Sequence, residues 1–263
     1  MKKYLMILKS EFMTNISYIT NVLAGFVGYF LILYIFLNLW EYMYSDPNEL
    51  INGYNMNQMI WYVIITEILW SVTSGRKLCN TIIQDVKGGN IAYNINKPYS
   101  YIGYSLCTHL GGALLRIIIF IILGILTGLL FMHEFPSINI LEFLIILVSM
   151  ILAVVISSLL IIFIGLLSFI IEDSSPFYWV YSKIILVIGT IFPIEYFPAG
   201  LQVIMKYSPI YVTSYGPAKL FVDFSWNTTL SIFIAQIAYI IIAYFLCHLM
   251  YKKGVRKLNV NGG

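Results

Sequence analysis

Along the chain, long apolar runs alternate with short polar interruptions, and the runs set the architecture. Six of them approach the ~20 residues a helix needs to cross a bilayer core: roughly 16–40, 58–75, 103–131, 140–171, 176–193 and 229–250. The fourth is long for one crossing, which predicts a tilt or a projection beyond the membrane. Ser175 and Pro176 read as an N-cap and first-turn pair that starts the fifth. Ahead of the first run, residues 1–15 place Tyr4, Leu5, Leu8 and Phe12 on one helical face, the pattern of a helix lying in the membrane interface. Lys9, Glu11 and Asn15 interrupt that segment, so it does not read as a cleavable signal. The pattern predicts an all-α integral membrane protein, six transmembrane helices in a single domain over 1–263, with an amino-terminal interfacial helix.

One polar interruption keeps a helical stripe. Between Arg76 and Pro98, Leu78, Ile82, Ile83 and Val86 recur at helical spacing, while Arg76, Lys77 and Lys87 bracket them and Gly88-Gly89 ends the run. A loop that only reverses the chain needs a handful of polar residues. This one predicts a short amphipathic helix that either docks a partner or rests on anionic lipid.

Composition and charge turn this pattern into an orientation. The 263 residues are 60% apolar and 10% charged, whereas soluble domains carry about 25% charged residues. A water-soluble fold is thus excluded for most of the length, and a net charge of +3 is too small to argue for nucleic acid. Eleven of the fifteen basic residues fall on one side of the six runs: Lys2, Lys3, Lys9, Arg76, Lys77, Lys87, Lys97, Lys252, Lys253, Arg256 and Lys257. The positive-inside rule assigns that side, and both termini, to the cytosol. The loops holding Glu41, Asp46 and Glu49, and then His133-Glu134, face outward. Trp40, Trp61 and Trp226 fall near outer boundaries, where an aromatic belt is expected.

From Pro193 to Thr228 the chain is broken by Pro193, Pro198, Pro209 and Pro217, yet it stays rich in Phe, Tyr, Ile and Val. Short helices dipping into the outer leaflet satisfy both facts, with Pro193, Glu195, Phe197 and Pro198 opening the re-entrant segment. An apolar loop resting on the surface is the other reading.

Candidate chemistry is sparse. Glu67 and Arg116 are charges inside predicted spans, each near the middle of its run, so they are expected to meet as a pair. Such a pair either locks two neighbouring helices or serves a substrate or proton pathway, as in an ion- or proton-coupled secondary transporter. Cys79, Cys107 and Cys247 are scattered, and His109, His133 and His248 lack metal-ligand spacing, so no metal site is expected. No nucleophile elbow or phosphate-cradling loop appears, so neither an enzyme nor an ATPase is expected within this chain. Gly124 and Gly128 form a Gly-x-x-x-Gly in the third span, with Gly111-Gly112 below it, spacings that let helix backbones approach.

With this topology the whole chain resembles the membrane subunit of type-2 ABC exporters, most nearly a six-span branch of small bacterial drug- and peptide-export permeases. The amino-terminal helix carries part of the likeness. GNIAYNINKPYS (Gly89 to Ser100) is similar to that branch's Gly-to-Leu-x-Arg/Lys-Pro loop, with Ile95, Lys97 and Pro98 at the matching positions and Asn96 a departure. PIEYFPAG (Pro193 to Gly200) and SPIYVTSYGPAKLF (Ser208 to Phe221) resemble the short extracellular helices before the last span. The resemblance implies two permease subunits in a bacterial plasma membrane, paired as a homo- or heterodimer. Each docks a separate cytosolic ATPase that supplies the ATP and magnesium chemistry, with no cofactor in the permease itself. It makes residues 76–98 the coupling helix, with Leu78, Ile82, Ile83 and Val86 inserting into the ATPase and Arg76, Lys77, Asp85 and Lys87 setting polar contacts. Spans rich in Tyr and Phe suit an amphipathic or hydrophobic cargo.

Overall fold

The computed structural model describes residues 2–46, 49–95, 97–132 and 134–261, and within them each of the six apolar runs is largely helical. Asn96 and His133 lie outside the described residues. Helices α1 (Lys2–Ser17) and α2 (Ile19–Met43) are separated only by Tyr18. Helix α3 (Met56–Thr73) returns and leads into α4 (Arg76–Lys87) and a single turn, α5 (Ile91–Ile95). Helix α6 (Tyr101–Met132) is followed by α7 (Ile140–Leu166), which breaks at Leu167 before the short α8 (Ser168–Ile171). Helix α9 (Ser175–Ile184) continues as a π-helical stretch, Ile185–Thr190. Helix α10 (Ala199–Lys206), a second π-stretch at Tyr211–Tyr215 and α11 (Gly216–Val222) precede the long α12 (Trp226–Asn261).

The rods alternate in direction between two ends. At one end the start of α1, the α4–α5 segment, the α8–α9 turn and the last turns of α12 gather: Lys3 donates to the Pro98 carbonyl, Lys87 meets Asp173, and Tyr101 stacks on Tyr251. Most of the basic residues are on these elements, so this is called the basic end below. At the opposite end, Trp61 Nε1 donates to the Glu134 carbonyl and Gln58 Nε2 to that of Val222.

Among the described residues, four helices are long and apolar enough to cross a membrane: Ile19–Met43, Tyr101–Phe131, Ile140–Ile171 and Trp226–Arg256. Helix α3 sits at the centre instead. Its residues from Met59 to Leu69 are buried on every side, which is how it tolerates Thr66 and Glu67. Helices α2 and α12 are its opposite, presenting Val27, Leu31, Ile35, Ile234, Ile237 and Ile241 outward, a surface that suits lipid and not water.

The small residues of α6 set the packing. A Cβ on Gly128 would lie 2.3 Å from the Trp61 ring, and one on Gly111 would lie 2.7 Å from both the Leu8 carbonyl oxygen and Glu11 Cβ. Gly124-x-x-x-Gly128 therefore seats α3 within one chain, and Gly111 lets α1 approach to backbone contact. Tyr4 meets Gly103, Leu8 and Glu11 meet Gly111, and Asn15 meets Gly112, so α1 runs alongside the first turns of α6.

Several expectations change. Leu5 is 64% exposed, and the packed face of α1 comprises Tyr4, Ile7, Leu8, Glu11, Phe12 and Asn15. Trp40 and Trp61 are fully buried among aromatic neighbours and do not belong to a lipid-facing belt, whereas Trp226 is exposed. The N-cap of α9 is Ser174 and not Ser175, with no side-chain cap bond; ahead of it Asp173 Oδ1 accepts the Ser175 N–H at 2.9 Å.

Candidate functional site

Helix α4 divides cleanly into three faces. Leu78, Cys79, Ile82, Ile83 and Val86 are buried, and what buries them is this chain. They join a cluster with Leu159, Ile161, Ile162, Leu166 and Tyr178 of α7 and α9. Ile82 packs onto Gly165, where an added Cβ would lie 2.9 Å from it. Leu78, Ile82, Ile83 and Val86, expected to insert into a partner, are therefore already covered within the chain. An amphipathic stripe says that one face is covered and leaves open which surface covers it.

Polar contacts fasten the same helix. Lys87 Nζ lies 3.1 Å from Asp173 Oδ2, and the Tyr178 hydroxyl accepts the Gly75 N–H at 3.1 Å. Bonds from Ser175, then Lys87, hold the exposed Asp173 carboxyl down at about 2, below its ordinary range. On a second face Lys77, Thr81 and Asp85 turn towards α1 and α6, and Asp85 accepts a hydrogen bond from the Tyr101 hydroxyl at 2.7 Å. The third face points outward: Arg76, Asn80, Gln84 and Lys87 form an exposed row one turn apart, and Tyr93, 76% exposed, extends beyond it on α5.

Glu67 and Arg116 do not meet. Both Glu67 carboxylate oxygens are buried without a hydrogen-bond partner, and Arg116 forms no ion pair among the described residues. The register explains this. Trp61 packs at Gly128 and Ile68 at Gly124 on antiparallel helices, so Glu67 lies level with about residues 122–125 of α6. Arg116 is about six to nine residues, about 9–14 Å, nearer the basic end. There it lines a cleft of about 480 Å³ between α1, α4 and α6, together with Asn15, Lys77, Thr108 and His109. His109 Nδ1 lies 2.8 Å from the Ser158 hydroxyl, and its Nε2 has no partner. A charge relay between Glu67 and Arg116 thus has no direct contact to run through.

A second polar cluster stands at the opposite end. Glu195 Oε1 accepts the Tyr215 hydroxyl at 2.5 Å and lies 4.0 Å from Lys219 Nζ, while its Oε2 is buried without a partner. Lys219 also pairs with Asp223 at 2.8 Å and covers the Tyr54 ring at 4.6 Å. Burial, and then the Glu195 carboxylate, hold the Tyr54 hydroxyl far above the ordinary phenol range. Tyr196 donates to the Ile51 carbonyl, tying this cluster to the α2–α3 connection. Of the predicted re-entrant residues, Pro193 is buried, Glu195 and Phe197 are half-buried and Pro198 is exposed. Tyr54 has no motif that marks it in the sequence, and nothing in the segment Ser208 to Phe221 singles out Tyr215 and Lys219; only the fold brings them to Glu195.

Helices that alternate between a basic end and an opposite end, four of them of membrane-crossing length and apolarity, define a multi-pass α-helical membrane protein. Residues 27–262 match the family described as ABC-2 family transporter protein, so the chain belongs to that family and is a permease subunit of a type-2 ABC transporter. Permeases of this family generally work with ATPase subunits and are not themselves generally catalytic. No curated protein matches the chain.

Proposed function

We propose that this permease exports an amphipathic or hydrophobic substrate, a drug, peptide or lipid-like molecule, powered by a separate ATPase that grips the outward row of α4. On this reading the chain is one six-span domain in the cell membrane, its termini and basic end face the cytosol, and it pairs with a second permease subunit. ATP and magnesium belong to the partner. The observation that carries the reading is the three-faced α4. Its apolar side is locked to α7 and α9, so the exposed residues Arg76, Asn80 and Gln84 are open to a partner while Lys87, at the end of the row, ties it to the bundle through Asp173. Movement imposed on that row passes through the Ile82–Gly165 contact into α7 and through Lys87–Asp173 into the α8–α9 turn.

The test is co-purification with the cognate ATPase and measurement of its turnover. Exchanging Arg76 and Gln84 for Glu is expected to abolish the complex and the permease-dependent ATPase rate without lowering the permease's own thermal stability. An intact complex and rate in that double variant contradict the docking assignment.

A further inference from the structure

We infer that the cleft between α1, α4 and α6 is a binding site for the anionic group of a single-chain amphiphile, with Arg116 as the residue that holds it. The inference rests on the reading above only in opening the cleft towards the cytosolic side.

Three observations carry it. The cleft is large and polar for a position beside membrane-spanning helices, about 480 Å³ with Asn15, Lys77, Thr108, His109 and Arg116 on its walls. Its polar groups are under-used. Arg116 makes no ion pair among the described residues, although Glu11 and Asp85 line the same cleft, and Thr108 Oγ1 and His109 Nε2 are buried without partners. An unpaired guanidinium at this position is costly in lipid and is expected to face water or an anion.

Depth selects the class of ligand. Arg116 is fifteen residues above Tyr101 along α6, about 22 Å of helix rise. A water-borne ATPase resting on α4 does not reach that far without inserting an arm, whereas the head of an amphiphile arrives there with its tail in lipid. The cleft also has a lipid-facing edge: beside its lining residues Asn15, Tyr18 and Val22, the chain exposes Ile16, Ile19 and Leu23. A tail lying on that edge leaves a phosphate or carboxylate head pointing at Arg116, with the Thr108 hydroxyl to supply a hydrogen bond.

The full chain in phosphatidylcholine nanodiscs, without the ATPase, tests this directly. Titrated dodecyl phosphate is expected to bind saturably over empty discs, with Kd weakened at least tenfold by Arg116→Gln and restored to within about threefold of wild type by Arg116→Lys. Inorganic phosphate and dodecyl maltoside are expected not to compete. Equal binding in Arg116→Gln overturns the proposal, as does competition by inorganic phosphate, which marks a free-anion site, or by the maltoside, which marks a tail-only site. If Arg116→Gln does not fold, Thr108→Val replaces it, with a loss of at least threefold expected and an unchanged Kd contradicting the assignment. Loss of the ATPase complex in Arg116→Gln with unchanged dodecyl phosphate binding assigns Arg116 to the motor and overturns the inference. Conversely, saturable Arg116-dependent binding in a chain that recruits no ATPase upholds it while the docking reading fails.

Discussion

Replacing Ile82 with Ala separates the inner face of α4 from its outer one. Ile82 is 1% exposed, and its branched side chain lies against Gly165, whose missing Cβ is what allows the approach. Because α4 ends in a polar segment outside the predicted spans, burial there is driven by water as in a soluble domain. Truncation removes three buried carbons and leaves a cavity that the Gly165 backbone cannot fill, which places the loss at about 2–5 kcal/mol. Gln84, exposed on the outer row, should lose no more than ~0.5 kcal/mol on conversion to Ala. Urea or thermal unfolding of the detergent-solubilised permease, followed by a probe on α4, measures both. If Ile82→Ala is neutral in the isolated permease but abolishes ATPase recruitment, the apolar face belongs to the partner and the three-face description of α4 is wrong.

Three further outcomes follow from particular contacts. Gly111→Val forces a side chain into the Leu8 carbonyl and the Phe12 amide, so α1 should lose ~1–3 kcal/mol of its hold on α6 and become cleavable by protease, whereas Gly28→Ala, which meets open space, should leave α2 intact. Asp173, held low by Ser175 and Lys87, contributes stability that is present above the ordinary carboxylate range near pH 4 and lost as pH falls towards about 2. Wild type and Asp173→Asn should therefore differ in unfolding midpoint at pH 6 and converge through that acid window, and high salt should narrow the gap. Glu67→Met removes two buried, unpartnered oxygens, so the variant should be at least as stable as wild type by unfolding in detergent, and a loss of several kcal/mol would point to a partner for Glu67.

Much of the fold is legible because its causes are local. The stripe of Leu78, Ile82, Ile83 and Val86 and the stop at Gly88 predict α4 within a residue of its bounds, Arg76–Lys87. Most of the lysines and arginines mark one end, and the structure gathers the elements that carry them there. What the sequence withholds depends on azimuth and register. Counting residues gives Glu67 and Arg116 similar depths only if their helices begin level, and α6, at 32 residues, starts well beyond the end of α3. Trp40 and Trp61 sit near span ends as a belt would, but neighbouring helices enclose them. The π-helical stretches at Ile185–Thr190 and Tyr211–Tyr215 leave no mark in hydrophobic pattern, since they arise where Gly189 and Ser214 pack together and Thr66 binds the Thr190 carbonyl.

The central claim is that a separate motor touches the outward row of α4 and not its apolar stripe. Single cysteines at positions 84 and 82, in a permease whose own three cysteines are replaced by Ala, decide it by maleimide cross-linking to the cognate ATPase in membranes. The account predicts a cross-linked product from Gln84→Cys and none from Ile82→Cys. A product from Ile82→Cys alone would contradict it.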